Sequence, residues 1–115
     1  MSTEILIGEK DAEVPEKIIL TFDGSLDATN IEKVSNQVRK VLNSGNKHII
    51  ADFSKLRYLN STALGHIISF SQMSKKKGGS FVLTHVQDNV YEIFDIVGAT
   101  SILKFYKTSA EALAA

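Results

Sequence analysis

The 115-residue chain contains no cysteine. That excludes disulfides, thiolate catalysis and cysteine-ligated zinc, and it makes a reducing compartment the expected setting. Tryptophan is also absent, and the single proline, Pro15, lies among charged residues in 11–16, where it predicts a turn. Excess charge is missing as well. Thirteen basic residues balance thirteen acidic ones, so nothing draws the chain to nucleic acid or to an anionic membrane by bulk electrostatics. No apolar run approaches the roughly 18 residues that a transmembrane helix needs. The first ten residues, MSTEILIGEK, carry acids and lack the basic start and apolar core of a secretory signal. A cytoplasmic protein is expected, and the length suits one domain over residues 1–115 with a core of its own.

Catalytic signatures are lacking too. There is no Gly-x-Ser-x-Gly elbow, no phosphate-binding Walker loop and no Gly-x-Gly-x-x-Gly. His48, His66 and His85 are scattered without metal-ligand spacing, and no nucleophile–base pair stands out. The expectation is a protein that is not an enzyme and that needs neither metal nor cofactor. A small enzyme or ligand-binding domain using the carboxylates Asp23, Asp27 and Asp52 is the weak competitor.

What is present is an ordered alternation of short elements. Residues 3–8 and 17–22 alternate apolar positions and read as two neighbouring antiparallel strands. Gly24 permits a sharp turn out of the second strand, and Asp27 is suited to cap a helix running from Ala28 to about Asn43, with Ile31, Val34, Val38, Val41 and Leu42 on one face. Residues 48–53 form a buried strand, parallel to the second because a helix intervenes. Residues 54–60 read as a polar connection. A second helix spans 61–77, with Leu64, Ile67, Ile68 and Ser71 as its core stripe; Ala63, Phe70 and Met73 widen the apolar arc. Lys75, Lys76 and Lys77 complement its negative end before Gly78 and Gly79 stop it. A strand at 80–86, a helix capped by Asp88 and ended by Gly98, a strand at 102–106 and a short helix from Ser109 complete the chain. The pattern ββαβαβαβα predicts an α/β fold with a mixed, mostly parallel sheet of about five strands and four helices.

Sites in such sheets favour the carboxyl ends of the strands. Three segments should meet there: residues 23–27, 56–62 and 84–89. Ser61 stands out, because a hydroxyl at the start of a helix lies against unpaired N–H groups and the positive end of the dipole. Two roles fit it. It can assist Asn60 in capping, worth on the order of 1 kcal/mol. It can also accept a phosphate, which the same N–H groups would tolerate. Asp23, Asp27 and Asp52 suit turns and caps, or contacts with a partner. Phe70 and Met73 fit either the core or an apolar patch facing a partner.

At these residues the chain resembles the STAS family, in particular its single-domain bacterial anti-sigma factor antagonists. GSLDA at residues 24–28 is similar to the family's Gly-x-Leu-Asp-Ala turn. DFSKLRYLNSTALGHII at 52–68 is similar to its Asp-(Leu/Phe)-Ser…(Ile/Leu)-Asp-Ser-(Ser/Thr)-Gly-Leu-Gly signature, matched by Asp52, Ser54, Leu59, Ser61, Thr62, Leu64 and Gly65. The tail IFDIVGATSILKFYKTSAEAL resembles the closing helix, glycine, strand and Ala-rich helix. The resemblance implies a STAS-like domain in which Ser61 is phosphorylated by an anti-sigma factor that is also a serine kinase. The unmodified form would bind that partner and release the sigma factor, and a PP2C-type serine phosphatase would reset the switch. Asp23, Ser25, Asp27, Asn60, Thr62, Ala63, Phe70 and Met73 would form the recognition surface. Asn60 stands where the family usually has Asp, and Ala63 where it usually has Gly. Those two departures favour the alternative, a constitutive interaction module such as a scaffold subunit or transporter accessory.

Overall fold

The computed structural model describes residues 4–10 and 17–114; the turn expected around Pro15 lies outside them. Five strands form one sheet in the order β1-β2-β3-β4-β5. They are β1 (Glu4–Lys10), β2 (Lys17–Leu26), β3 (His48–Leu59), β4 (Ser80–Thr84) and β5 (Lys104–Tyr106). β1 runs antiparallel to β2, and every later pairing is parallel. The helices α1 (Ile31–Asn43), α2 (Ser61–Lys76), α3 (Asp88–Ile96) and α4 (Ser109–Ala114) alternate with the strands as the periodicity predicts.

Alternation along the strands decides which face each helix covers. Ile18, Leu20 and Phe22 of β2, Ile49, Ala51 and Phe53 of β3, and Phe81 and Leu83 of β4 enter one core with the apolar faces of α1, α2 and α3. Phe53 sits at its centre, edge-on to Phe22 at 5.1 Å and stacked on Phe94 at 6.5 Å. On the opposite face lie Ile50 and Val82, beside Ala112 of α4. The Lys17 ammonium donates to the α4 carbonyls of Leu113 (2.8 Å) and Ala112 (3.4 Å), where helix carbonyls lack partners and the dipole is negative.

The largest departure from expectation is in β2 and β3, both longer than their sequences suggest. The polar stretch 54–59 is not a connection. It continues β3, paired with residues 23–26, which continue β2 instead of turning out of it. The pairs Asp23–Lys55, Gly24–Leu56, Ser25–Tyr58 and Leu26–Leu59 are interrupted by two register shifts, one between Thr21 and Asp23 and one between Gly24 and Ser25. Between the Thr21–Asp52 and Leu26–Leu59 pairs, β2 advances five residues and β3 seven. Each shift is a β-bulge that gives β3 one extra residue. Phe53, Leu56 and Leu59 can therefore all be buried although they are spaced by three, while β2 keeps strict alternation through Phe22, Gly24 and Leu26. Gly24 takes φ 105° beside the second shift, a conformation that L side chains rarely adopt.

Smaller corrections have equally local causes. α1 begins at Ile31 rather than Ala28, and Asp27 does not cap it. Asp27 instead accepts from the Thr29 backbone N–H at 2.8 Å and from the Thr29 hydroxyl, which holds residues 27–30 in a turn. β4 stops at Thr84, because His85 adopts the left-handed φ of 54° and leaves the sheet. A 3-10 turn at Ala99–Ser101 takes up the chain before β5, which starts at Lys104.

Replacing Phe53 by Ala should remove both ring contacts and leave a cavity where α3 meets the sheet. A loss of about 3–5 kcal/mol in unfolding free energy, measured by chemical denaturation, is the expected outcome.

Candidate functional site

Ser61 is the first residue of α2 and is exposed. Its place is set from behind. The Asn60 N–H donates to the Leu26 carbonyl (3.1 Å), so the end of β2 fixes the start of α2. The Asn60 side-chain oxygen accepts from the Ala63 N–H at 2.9 Å, and the Asn60 backbone carbonyl accepts from Leu64 N–H at 3.0 Å. Asn60 is thus a complete N-cap. The Ser61 hydroxyl takes no share in it and has no hydrogen-bond partner among the described residues. The backbone N–H groups of Ser61 and Thr62 also lack an acceptor there, which leaves two donors at the positive end of a 16-residue helix.

Part of the expected surface follows from the same strand end: Ser25 and Asp27 flank Leu26, the residue from which Asn60 hangs. Asp23 and Ser25 alternate with the buried Phe22, Gly24 and Leu26, so they are half-exposed on the sheet face opposite α1–α3. Asp27 follows directly, and Thr62 is exposed beside Ser61. Bonding to the Thr29 hydroxyl first, and then to the Thr29 N–H, holds the Asp27 carboxyl below its ordinary value of 3.8. It is therefore a fixed anion near neutral pH. One turn along α2, Gly65 is exposed with open space where a Cβ would stand, so bare backbone adjoins the serine. Next to it, His66 spans two helices: its Nδ1 pairs with the Thr62 carbonyl (3.0 Å), and its Nε2 lies 3.4 Å from Glu32 of α1.

Three expected surface residues lie elsewhere. Ala63 is fully buried; at the third position of the helix its methyl turns toward the core and does not enlarge the surface beside Ser61. Phe70 is 1% exposed, with its ring 5.8 Å from that of Phe81. It is a core residue, not a patch. Met73 is half-buried against the core, in a hollow with Arg39, Leu42, Lys76 and Lys77. At 1.5 Å per residue it lies about 18 Å along the helix from Ser61.

Three residues that build the site gave little warning. Asn30, 5% exposed, donates from its amide to the Ser25 carbonyl (2.8 Å) and accepts from the Asp27 N–H (3.0 Å), tying the end of β2 to the turn. Gln87 donates to the carbonyls of Leu56 (2.8 Å) and Ser54 (3.2 Å), and Asn89 donates to that of Arg57 (2.9 Å). Their signal in the sequence is only an amide side chain within a few residues of a helix start. Asp52 accepts from the Ser54 N–H at 2.9 Å, a local turn bond at the first bulge. The histidines are dispersed, and no cluster of three potential metal ligands occurs among the described residues.

Residues 9–112 match the STAS domain family model, and the chain belongs to that family. It is similar to the anti-sigma F factor antagonist of Paenibacillus polymyxa, with 25% identity over 97 residues, 84% of this chain and 83% of that one. Among solved structures it resembles a candidate anti-sigma factor antagonist from Thermotoga maritima, with a TM-score of 0.83 and 24% identity over 96% of this chain and 91% of the other. It also resembles the phosphorylated form of the Bacillus cell fate determinant SpoIIAA, with a TM-score of 0.71 and 16% identity over 96% and 97% of the two chains. At these identities the two structural likenesses speak for the fold.

Two substitutions separate the cap from the hydroxyl. Asn60→Ala should cost about 1 kcal/mol through loss of the cap. Ser61→Ala should leave the denaturation midpoint unchanged, because no contact is removed. The Asp27 turn gives a third expectation. A depressed carboxyl stabilises the folded state above its ordinary value of 3.8, and that contribution fades as pH falls through the lower folded value. Asp27→Asn should therefore flatten the acid limb of a pH–stability profile below about pH 4.

Proposed function

We propose that this chain is an anti-sigma factor antagonist worked by reversible phosphorylation of Ser61. It would act as one cytoplasmic domain, would catalyse nothing itself, and would touch no nucleic acid directly. The observation that carries this is the separation of tasks at the start of α2: Asn60 caps the helix, and the adjacent Ser61 hydroxyl is exposed and unpartnered. A kinase can take that hydroxyl without dismantling any fold contact. Family membership and the name of the Paenibacillus relative support the same reading.

In the unmodified state, the half-exposed Asp23, Ser25 and Asp27, with Asn60, Thr62 and the bare Gly65, would meet a kinase-type anti-sigma factor and free the sigma factor. Transfer to Ser61 adds about −1.5 to −2 charges at pH 7. The open N–H groups of Ser61 and Thr62 and the helix dipole accommodate this charge, so α2 persists. The partner must then face a phosphate at the start of α2, and charge repulsion with desolvation cost expels it. A PP2C-type phosphatase would restore the binding form.

Incubation with candidate anti-sigma factor serine kinases and ATP should place one phosphate on Ser61, located by mass spectrometry. Ser61→Ala should keep partner binding and block modification, whereas Ser61→Asp should lose binding. An unmodified Ser61 together with normal binding by Ser61→Asp would sink the switch. Binding to a scaffold or transporter regardless of Ser61 substitution would select the constitutive module.

A further inference from the structure

Past its last pair with β4, Asp52–Thr84, the bulged half of β3 has a strand on one side only among the described residues. Unpaired carbonyls on the other side would ordinarily be left to water. Here they are not. Gln87 and Asn89, at the start of α3, direct their side-chain amides onto the carbonyls of Ser54, Leu56 and Arg57 at 3.2, 2.8 and 2.9 Å. Ser54 and Arg57 lie within the two bulges and Leu56 between them, where the ladder is weakest. The donors come from the helix side of the sheet edge and stand in for a missing strand.

We propose that Gln87 and Asn89 are positioning residues for Ser61: their amides clamp the bulged half of β3 and so fix Asn60 and Ser61 in place, making α3 part of how this site is recognised. The bond chain is continuous. Gln87 and Asn89 hold residues 54–57, residues 55–59 pair with β2, and Asn60 hangs from Leu26 and caps α2. Nothing else among the described residues grips the carbonyl side of that stretch by a side chain. The Ser61 hydroxyl has no hydrogen bond of its own among the described residues with which to fix its position. It inherits its position from the clamp.

The test exploits an asymmetry between amide and acid. Gln87→Glu and Asn89→Asp keep size but lose the N–H donors and turn an acceptor toward the carbonyls. Gln87 is the N-cap position and Asn89 lies in the first turn, and negative charge at this helix end favours α3, so the helix should persist while the clamp opens. In the double variant of the full chain, amide hydrogen exchange over residues 54–61 should accelerate by about tenfold or more, with residues 49–52 unchanged. Each single variant should give part of the effect and guards against misfolding of the double. Unchanged exchange over 54–61 would overturn the clamp.

The positioning role rests on the phosphorylation reading and is read separately. With the Ser61 kinase, KM for the variant should rise several-fold while kcat stays near that of the parent. Accelerated exchange with both constants unchanged would overturn positioning while leaving phosphorylation intact. Should the parent chain itself not be phosphorylated, the switch fails, and the Ser61 and Thr62 amide resonances become the measure. They should shift in the double variant, and unmoved resonances would overturn the proposal.

Discussion

Phe53, Leu56 and Leu59 reach the same core at intervals of three, in a strand paired with one whose buried residues recur at intervals of two. A regular ladder cannot satisfy both spacings. The two bulges in β3 reconcile them, and much of the site follows. They bring the end of β3 level with the end of β2, so that Asn60 bonds to Leu26 and α2 starts against the sheet. They also disturb the ladder locally, and the backbone groups there are recovered by side chains from three directions: Asp52 on Ser54, Gln87 on Ser54 and Leu56, and Asn89 on Arg57. Burying Leu56 and Leu59 offsets the irregularity, since each fully buried leucine contributes roughly 1.5–3 kcal/mol.

Most of the architecture was legible because α1 and α2 carry buried residues at helical spacing over three or more turns and the central strands contain short apolar runs. Order, type and number of elements follow from those periods alone. What was not legible is instructive. SKLRYL has neither a period of two nor of 3.6, so it resembles a loop; only its pairing with DGSL makes it a strand, and pairing is not a local property. In the same way, Asp27 carries the chemistry of a helix cap, yet the nearer Thr29 takes its carboxylate first. Asn30 then spends its amide on Ser25 and Asp27 rather than on the helix.

At the candidate site, the position and exposure of Ser61 were readable from the helix start, and the division of labour with Asn60 was not. Which of two neighbouring polar residues caps a helix depends on a backbone angle: Asn60 is extended, at ψ 178°, and only from there can its side chain turn back to Ala63. Phe70 and Ala63 were misplaced for a related reason. The apolar arc of α2 is broad, and a broad arc does not say which of its edges is covered. Here α1 and the sheet together cover nearly all of it.

The bulged strand has one further consequence. Because the Ser61 hydroxyl has no hydrogen-bond partner among the described residues, its address on the surface is written as a count of residues between Phe53 and the start of α2. A chain one residue shorter there would have to lift Leu59 from the core, or slide Ser61 into the capping position and carry Asn60 back into the strand. Residues 54–59 thus act as a ruler. Leu56 and Leu59 are held by the core as firmly as the count, while the exposed side chains of Ser54, Lys55, Arg57 and Tyr58 can vary more freely.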